Sequence, residues 1–402
     1  LKDEEYSLAI ISCDLCFLPN QFVKEVKDSI EDIADIDESQ IMISATHTHS
    51  GPLTGKVFGQ EPDQLYIKLL KEKIAESFSR AYKDTGPATF QFAQGSVEGI
   101  SFNRRYLMRD GNVVTNPPKD NPEIIGPQGP VDRTINLIRV NTKNKEASLI
   151  IMNFALHLDT LNHNYISSDF VGIIRGILKK VYGSKTSLLY LQGSAGDINH
   201  LDPEGKIPTY NLYNRVRIGR VIAGEILKRL ESTKNIENPT LASIEKKIEV
   251  ELRLPSPVEV EEAREILRRI PEEERAEPLT SEDLAVGSLK TKLFYARETL
   301  NIPQKNKETM KIQAMRIGDI AFVGIPAEVF TEIGITIKEK SPFPVTIIVE
   351  LANGCFGYLP TEKAFSEGGY ETLLNSYNRL ASDTESKVIS ASLSLLKALS
   401  IE

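Results

Sequence analysis

The chain has 402 residues, with 48 Lys and Arg against 56 Asp and Glu, and a formal net charge of −8 at pH 7. This acidic balance, without a dense block of basic residues, argues against a protein that binds the backbone of nucleic acids. No apolar stretch reaches the ~20 residues that a membrane-spanning helix needs. The sequence begins at Leu1 with neither Met nor a visible signal peptide. We expect an N-terminal segment to precede it, and slightly favour a cytoplasmic location.

Strand patterns and helix patterns alternate along the chain. Alternating or short continuous apolar runs predict strands at residues 6–17, 41–45, 89–97, 133–140, 147–155, 186–191, 243–254, 309–317, 320–323 and 344–350. Apolar residues at helical spacing predict helices at residues 20–33, 62–83, 169–182, 209–231, 329–338 and 382–399. Residues 100–130 are interpreted as a long loop, because they are rich in Gly, Asn and Pro.

This order of elements predicts an α/β protein with a mixed β-sheet, flanking helices and an active site at the strand ends. The sheet is expected to be mixed because the strands at 133–140 and 147–155 form a hairpin. Residues 255–300 are highly charged and are interpreted as a charged helical excursion, mostly solvated, within the same domain. We therefore expect residues 1–402 to form a single domain.

The most informative stretch is IMISATHTHSGP at residues 41–52, where a strand-like run ends in two histidines. His47 and His49 alternate with threonines, so in an extended chain both imidazoles point to the same side. Ser50-Gly51-Pro52 then ends any regular element. Such a pair either directs metal ligands or acid/base groups into a cleft, or consists of two hydrogen-bonded histidines in a turn.

The other three of the five histidines favour the first interpretation. His157, His163 and His200 each follow an apolar run and lie beside small or polar residues. Loops at strand ends converge, so this distribution indicates one shared polar site, most simply a metal site. Two histidines and a carboxylate with an open position form a common catalytic zinc set. Glu328, after Gly-Ile-Pro-Ala, is the candidate carboxylate, unless it is an exposed residue in the first turn of a helix.

Further polar residues lie at strand ends or in the predicted loop. Arg104 or Arg105 could bind a carboxylate, phosphate or oxyanion, or could be a plain surface residue. Gly193 and Gly196 permit backbone conformations that present N–H groups inward. Asp14, at the end of a buried strand, is expected to be paired or functional.

The cysteines are few and odd in number: Cys13, Cys16 and Cys355. Cys13 and Cys16 have C-x-x-C spacing, but they lie in a strand-like run and no second pair follows. We interpret all three as reduced, mostly structural cysteines rather than as half of a zinc site.

At these residues the chain resembles the neutral/alkaline non-lysosomal ceramidase family. THTHSGP is fairly specific to it, and the other matching segments are weak alone but occur in family order. The matches are SATHTHSGP at 44–52, Asn103-Arg104, FALH at 154–157, Ser168-Asp169, QGSAGDIN at 192–199, GIPAE at 324–328 and Gly357-Tyr358. The resemblance implies the catalytic domain of a divergent bacterial member without the family's C-terminal immunoglobulin-like domain.

The resemblance also implies a cofactor, a set of roles and a substrate class. One zinc ion would be held by His47, His157, Glu328 and Tyr358. His49, as general acid/base, and Arg104 would lie around the scissile amide. The implied reaction is hydrolysis of an amide or ester bond by a metal-activated water. The implied substrate is a small-molecule or lipid-like amide, which for the family belongs to sphingolipid metabolism.

The tract that begins at Gly196 departs from the family pattern. The family's amidase tract reads like G-D-V-S-P-N and its Ser has a catalytic role. Here Asp197 is kept, but Asn199 stands where that Ser would be, and we predict both as candidate catalytic residues. Ceramide itself is therefore not carried over as the substrate.

Two other functions stay open at this point. One is a zinc-binding pseudoenzyme that keeps the fold after losing the Ser. The other is a metallo-phosphoesterase in which Asp14, Asp197, Asn199 and His200 supply a second metal ion.

Overall fold

Two β-sheets face each other at the centre of the molecule, and helices cover their outer faces. These elements are seen in a computed structural model of the chain. The structure describes residues 1–3, 6–57, 59–118, 120–142, 148–161, 165–202, 210–237, 239–270 and 289–401.

The strands of the described residues are β1 (Ala9–Cys13), β2 (Ile41–Ala45), β3 (Ala88–Ser96), β4 (Phe102–Asn103), β5 (Arg105–Met108), β6 (Val113–Thr115), β7 (Ile124–Pro127), β8 (Thr134–Thr142), β9 (Ser148–Phe154), β10 (Ser187–Gln192), β11 (Ile198–Asn199), β12 (Lys234–Ile236), β13 (Leu241–Glu251), β14 (Lys307–Ile317), β15 (Ile320–Ile325), β16 (Glu328–Val329), β17 (Val345–Glu350) and β18 (Tyr358–Leu359). The α-helices of the same residues are α1 (Asn20–Glu31), α2 (Gln64–Lys83), α3 (Asp169–Tyr182), α4 (Leu212–Leu230), α5 (Pro257–Arg269), α6 (Leu289–Asn301), α7 (Thr331–Lys340), α8 (Glu362–Glu367) and α9 (Thr384–Leu399).

Both central sheets are mixed, as the sequence predicts. The first has the strand order β10-β9-β8-β3-β12, and the second has the order β13-β14-β15-β17. In the first, β8 and β9 form the predicted antiparallel hairpin while β9 and β10 run parallel. In the second, β15 and β17 are the parallel pair, and β1 and β2 form a third parallel pair. The carboxyl ends of these parallel pairs carry the polar tracts identified in the sequence.

The strand β9 shows why its sequence is continuously apolar. Ile150, Met152 and Phe154 pack toward the helices on the outer face, whereas Leu149 and Ile151 pack toward the second sheet. A strand that is buried on both faces has no solvated side, so its sequence is an unbroken apolar run and does not alternate between apolar and polar residues.

The helices bury one face each against a sheet. In α3, Phe170, Ile174 and Leu178 recur every four residues and are buried, which is the stripe that a helix on a sheet requires. The helices α3 and α4 cover the first sheet, while α7 and α9 cover the second. The helices α1 and α2 pack against the β1–β2 pair. None of the described helices is long and apolar enough to cross a membrane.

The prediction of a continuous loop at residues 100–130 is wrong in part. Its described residues contain β4 and a small antiparallel sheet with the order β6-β5-β7. These strands have two to four residues each, too few for an alternating pattern to stand out from a Gly- and Pro-rich background.

The charged helical excursion is confirmed, and its described residues form the helices α5 and α6 between the antiparallel strands β13 and β14. Residues 271–288 lie outside the described residues. The expectation of a mostly solvated segment does not hold for α6, where Leu293 and Ala296 are buried. The Glu298 carboxylate accepts a hydrogen bond of 2.9 Å from the backbone N–H of Ser376, so this helix supports the segment that follows α8.

The contact between the two sheets can be tested at Phe322 of β15, which is fully buried in the layer between them. We expect Phe322→Ala to lower the free energy of unfolding by about 3–5 kcal/mol, because it removes buried apolar area and leaves a cavity. The control is Leu65→Ala at an 80% exposed position, which should change it by no more than about 0.5 kcal/mol. Equal denaturation midpoints for the two variants would contradict this description of the core.

Candidate metal centre

His47 lies just beyond β2 and points into the protein. Its backbone has φ +68°, a left-handed conformation that non-glycine residues rarely adopt and that is common at functional sites. Its backbone N–H donates a hydrogen bond of 2.9 Å to the Leu15 carbonyl. The ring Nδ1 lies 2.8 Å from the Cys16 carbonyl oxygen, so we assign the ring proton to Nδ1. This leaves the Nε2 lone pair free to bind a cation.

His157 is oriented in the same way after β9. Its side chain is fully buried, and Nδ1 lies 3.0 Å from the carbonyl oxygen of Ala195. A carbonyl oxygen can only accept, so Nδ1 again carries the proton and Nε2 presents a lone pair. Backbone carbonyls that fix the tautomer of an imidazole in this manner are typical partners of metal-ligating histidines.

Glu328 lies in β16, which pairs in parallel with β18, and its side chain is buried. This excludes the interpretation of an exposed residue in a first helical turn. Its Oε1 accepts a hydrogen bond of 2.7 Å from the Tyr377 hydroxyl. Its Oε2 is buried and receives no hydrogen bond from any described residue. A buried carboxylate oxygen without a donor is costly unless a cation satisfies it.

The three side chains meet at one point. His47 Nε2 and His157 Nε2 are 3.0 Å apart, and Glu328 Oε2 lies 3.3 Å and 3.5 Å from them. These lone-pair atoms would repel one another unless a positive charge lies among them. Imidazole nitrogens and a carboxylate oxygen are ligands that suit a transition metal such as zinc. His47, His157 and Glu328 could therefore hold a metal ion.

The charges around the three residues agree with this arrangement. Burial, followed by the positive charge of Arg104, lowers the pKa of His157 well below its usual range. Burial also opposes protonation of His47, but Cys16 and Glu328 outweigh it and raise that pKa well above the usual value. Burial raises the pKa of Glu328, but His47 and Arg104 outweigh burial and lower it. Without a metal, a proton on His47 beside the Glu328 carboxylate supplies the positive charge that the cluster requires.

His49 lies at the mouth of the cluster and is exposed. Its Nε2 is 3.3 Å from His47 Nε2, and the two ring centres are 4.8 Å apart, so both imidazoles lie on the same side as predicted. The His49 N–H donates to the Leu158 carbonyl at 2.9 Å, beside a parallel bridge between Thr48 and Leu158. This bridge holds the two histidine-bearing tracts next to each other.

Arg104, of the two candidate arginines, is the one beside the cluster. Its Nη1 lies 3.2 Å from His157 Nε2, and its Nη2 donates to the Gly196 carbonyl at 2.7 Å. Its Nε donates to Glu371 Oε1 at 2.8 Å. Arg105 instead pairs with Glu371 Oε2 at 2.8 Å and lies over the ring of Phe330.

Tyr358 is buried and lies opposite Glu328 in the register of β16 and β18. Its ring centre is 5.4 Å from the guanidinium carbon of Arg104. The backbone N–H of Tyr358 donates to Asn378 at 3.0 Å. The structure thus places Tyr358 beside the group formed by His47, His157 and Glu328, and its role as a fourth metal ligand stays a prediction.

Comparison with known proteins finds similarity to neutral ceramidases, the family that the sequence motifs resemble. No family model matches the chain. Neutral ceramidase B of Dictyostelium discoideum is 24% identical over 217 residues, which are 50% of this chain and 29% of that protein. Neutral ceramidase A of the same organism is 24% identical over 231 residues, or 52% of this chain and 30% of that protein. The matched segments therefore span less than a third of these relatives' own length.

Solved structures show the same fold over nearly the whole chain. Neutral ceramidase from Pseudomonas aeruginosa matches 97% of this chain and 66% of its own, with a TM-score of 0.70 and 17% identity. A ceramidase complexed with C2 matches 98% of this chain and 67% of its own, with a TM-score of 0.72 and 18% identity. The chain is neutral ceramidase-like.

Asp197 and Asn199 of this neutral ceramidase-like chain both form hydrogen bonds within the protein. Asp197 Oδ1 accepts from both the backbone N–H and the hydroxyl of Thr331, each at 2.8 Å, and Oδ2 accepts from Asn103 at 2.8 Å. Asn199 donates to Asn116 at 2.8 Å. These contacts anchor the start of α7 and the tract after β10, and a catalytic role for either residue stays a prediction.

The residues suggested for a second metal do not come together. Asp14 forms an ion pair with Arg175, and His200 Nδ1 lies 3.1 Å from the amide nitrogen of Asn214. Within the described part of the chain, both groups of His, Cys, Asp and Glu that could hold a metal contain His47. His163 lies outside the described residues. The neutral ceramidase-like fold thus brings together a single centre from its described residues.

The cysteines are free, as predicted, but they differ in surroundings. Cys13 is buried, and burial raises its thiol pKa to about 12, as expected for a structural cysteine. Cys16 lies beside the histidines: its Sγ is 3.7 Å from His47 Nδ1, and it belongs to the second group that could hold a metal, with His47 and His49. The C-x-x-C spacing alone gave no sign of this, since Cys13 and Cys16 end in different environments. A structural role for Cys16 stays a prediction.

Three residues near the centre were not identified from the sequence. Tyr377 binds Glu328, and Glu371 binds both arginines. Tyr377 and Glu371 both lie between α8 and α9, in a segment whose sequence has no recognised motif. Glu350 is a lone carboxylate at the end of the apolar strand β17, and burial raises its pKa to about 8. The signal for Glu350 was available, because Asp14 was singled out on the same pattern.

The buried Glu371 should be essential for stability. Glu371→Ala leaves Arg104 and Arg105 without their shared carboxylate, so we expect the free energy of unfolding to fall by about 3–5 kcal/mol. The control is Glu76→Ala, which removes exposed ion pairs to Lys73 and Arg80 and should cost about 0–1 kcal/mol. Denaturant titrations of both variants measure this. A decrease of less than about 1 kcal/mol in the free energy of unfolding of Glu371→Ala would refute the proposed importance of the ion pairs between Glu371 and the two arginines.

Proposed function

We propose that this neutral ceramidase-like chain is a zinc-dependent hydrolase of amide bonds. The observation that carries the proposal is the convergence of His47 Nε2, His157 Nε2 and Glu328 Oε2 within 3.5 Å, with no donor for Glu328 Oε2 among the described residues. Two histidines and a carboxylate are a donor set of catalytic zinc enzymes, in which a further position stays open to water or substrate.

The residues at the centre fit the roles that such a hydrolase needs. His47, His157 and Glu328 would hold the zinc, with Tyr358 as the fourth residue. Bound zinc would lower the pKa of water from ~15.7 toward ~7 and polarise the substrate carbonyl. His49 would accept a proton and return it to the leaving amine, because desolvation, followed by the positive charge of His47, lowers its pKa to about 4 and leaves the imidazole neutral at pH 7.

Arg104 would stabilise the negative charge that develops on the carbonyl oxygen. Its guanidinium is fixed by Glu371 and by the Gly196 carbonyl, while Nη1 faces the metal ligands. A positive charge that is already in place costs no reorganisation during the reaction, and it acts strongly where water is excluded.

This mechanism assigns no role to a serine nucleophile, so Asn199 is compatible with activity. Because the named relatives are ceramidases, the substrate class that we propose is an N-acyl amide with a lipid-like part. Ester hydrolysis is an extension of the same chemistry. We further propose that residues 1–402 act as one catalytic domain.

A zinc-binding pseudoenzyme is the second candidate, and Asn199 is the observation that favours it. It predicts bound zinc without turnover. An assay on a short-chain ceramide, a simple N-acyl amide, an aryl ester and an aryl phosphate distinguishes the candidates, with and without a chelator. Chelator-sensitive amide hydrolysis supports the proposal, and zinc binding without turnover on the whole panel supports the pseudoenzyme. Phosphate hydrolysis that requires two zinc ions per chain would support a phosphoesterase.

We expect His47→Ala to lose both zinc and activity, because it removes one of three convergent ligands. Elemental analysis of purified wild type should give about one zinc per chain, a stoichiometry that a single closed ligand set predicts. Asn199→Ala should keep the zinc, since its amide contacts Asn116 rather than the cluster.

The matched control for the histidine substitution is His200→Ala. His200 is also buried, but its ring contacts Asn214 and Asp159 instead of the three ligands. We expect this variant to retain zinc. Full activity of His47→Ala would rule out the mechanism, and loss of zinc in His200→Ala would point to a second metal position.

A further inference from the structure

Glu350, at the carboxyl end of β17, is a fully buried carboxylate, and no ion pair with another described residue accompanies its burial. A single oxygen, Oε2, accepts two backbone hydrogen bonds: one from the N–H of Ala195 at 3.0 Å and one from the N–H of Val329 at 2.8 Å. Oε1 receives no hydrogen bond from the described residues. The carboxylate thus connects two backbone segments that are far apart in the sequence.

Both segments carry part of the metal centre. The carbonyl of Ala195 fixes the ring of His157, and Val329 directly follows Glu328. The segments also bind each other, because the N–H of Gly196 donates to the Val329 carbonyl at 2.9 Å. Their approach is so close that a Cβ at Gly196 would lie 2.6 Å from the Glu328 carbonyl oxygen. A small shift of either segment would therefore move a ligand.

The N–H groups that Glu350 binds take no part in a β-ladder: Ala195 lies between β10 and β11, and Val329 is in β16. On the side of β16 that faces β18, the N–H of Glu328 donates at 2.9 Å to the carbonyl of the residue before β18. The N–H of Phe330 donates at 3.1 Å to a carbonyl of β18 itself. The N–H of Val329 points to the opposite side, as alternation in a strand requires. A buried N–H without an acceptor is destabilising, and an apolar side chain at position 350 would leave two of them.

We propose that Glu350 is a positioning residue for the metal centre, joining through Oε2 the backbone that orients His157 to the backbone that presents Glu328. The inference rests on the proposed function, since it assumes that these residues bind zinc. It requires an acceptor oxygen at this place rather than a negative charge. Burial, which raises the Glu350 pKa to about 8, agrees with a carboxyl group that acts as an acceptor rather than as a charge.

The test compares zinc affinity in Glu350→Leu and Glu350→Gln by competition with a chromophoric chelator. Glu350→Leu removes the acceptor at similar size, and we expect about 10–100-fold weaker zinc binding, as for other partners that orient metal ligands. Glu350→Gln keeps an acceptor oxygen for both N–H groups, so its affinity should stay within about threefold of wild type. If Glu350→Leu does not fold, Glu350→Asp, which withdraws the acceptor by one methylene, replaces it with the same expected direction.

The control for general destabilisation is Leu396→Ala, which opens a cavity in α9 behind the second sheet. It should lower the thermal midpoint of the metal-free protein and leave zinc affinity unchanged. Wild-type protein that binds no zinc would overturn the proposed function together with this inference. Zinc binding by wild type with equal affinity in Glu350→Leu, or an equal loss in Glu350→Gln, would overturn the inference alone.

Discussion

The structure is organised around a requirement for positive charge at one buried point. Two imidazole lone pairs and a carboxylate oxygen face one another at 3.0–3.5 Å, an arrangement that is repulsive without a cation. Each of the three is held by a partner that leaves it no freedom to turn away. The Cys16 and Ala195 carbonyls hold the imidazoles, and the Tyr377 hydroxyl holds the carboxylate. This arrangement therefore lowers the stability of the folded protein, and a metal ion bound there would raise it.

The fold supplies this point because three parallel strand pairs end near it. His47 follows β2, His157 follows β9, the tract around Ala195 follows β10, and Glu328 follows β15. At the end of a strand the backbone leaves its ladder, so its carbonyl and N–H groups become available to side chains. The two carbonyls that orient the histidines and the two N–H groups that bind Glu350 are groups of this kind.

A second layer of charge surrounds the ligands. Glu371 lies between Arg104 and Arg105, so both guanidinium groups are neutralised in part and fixed in place. Burial and, after it, the positive charge of Arg104 lower the pKa of His157, so its Nε2 keeps the lone pair that a metal ion would bind. The same guanidinium is thus suited to two tasks, which are maintaining a ligand in its binding form and, in the proposed reaction, stabilising the oxyanion.

The sequence by itself determined the α/β class, nearly all of the long strands and helices, and the histidine tract with its family resemblance. Those features are local, because apolar periodicity reports which side of an element is buried. The family resemblance pointed to Arg104 rather than Arg105, and the tertiary structure places its guanidinium beside His157. Only the tertiary structure decided that Asp197 anchors α7. It also revealed Tyr377 and Glu350, whose partners lie 49 and 155 residues away in the chain. A hydrogen bond between such distant residues leaves no periodic trace in the sequence, because it depends on how the sheets pack.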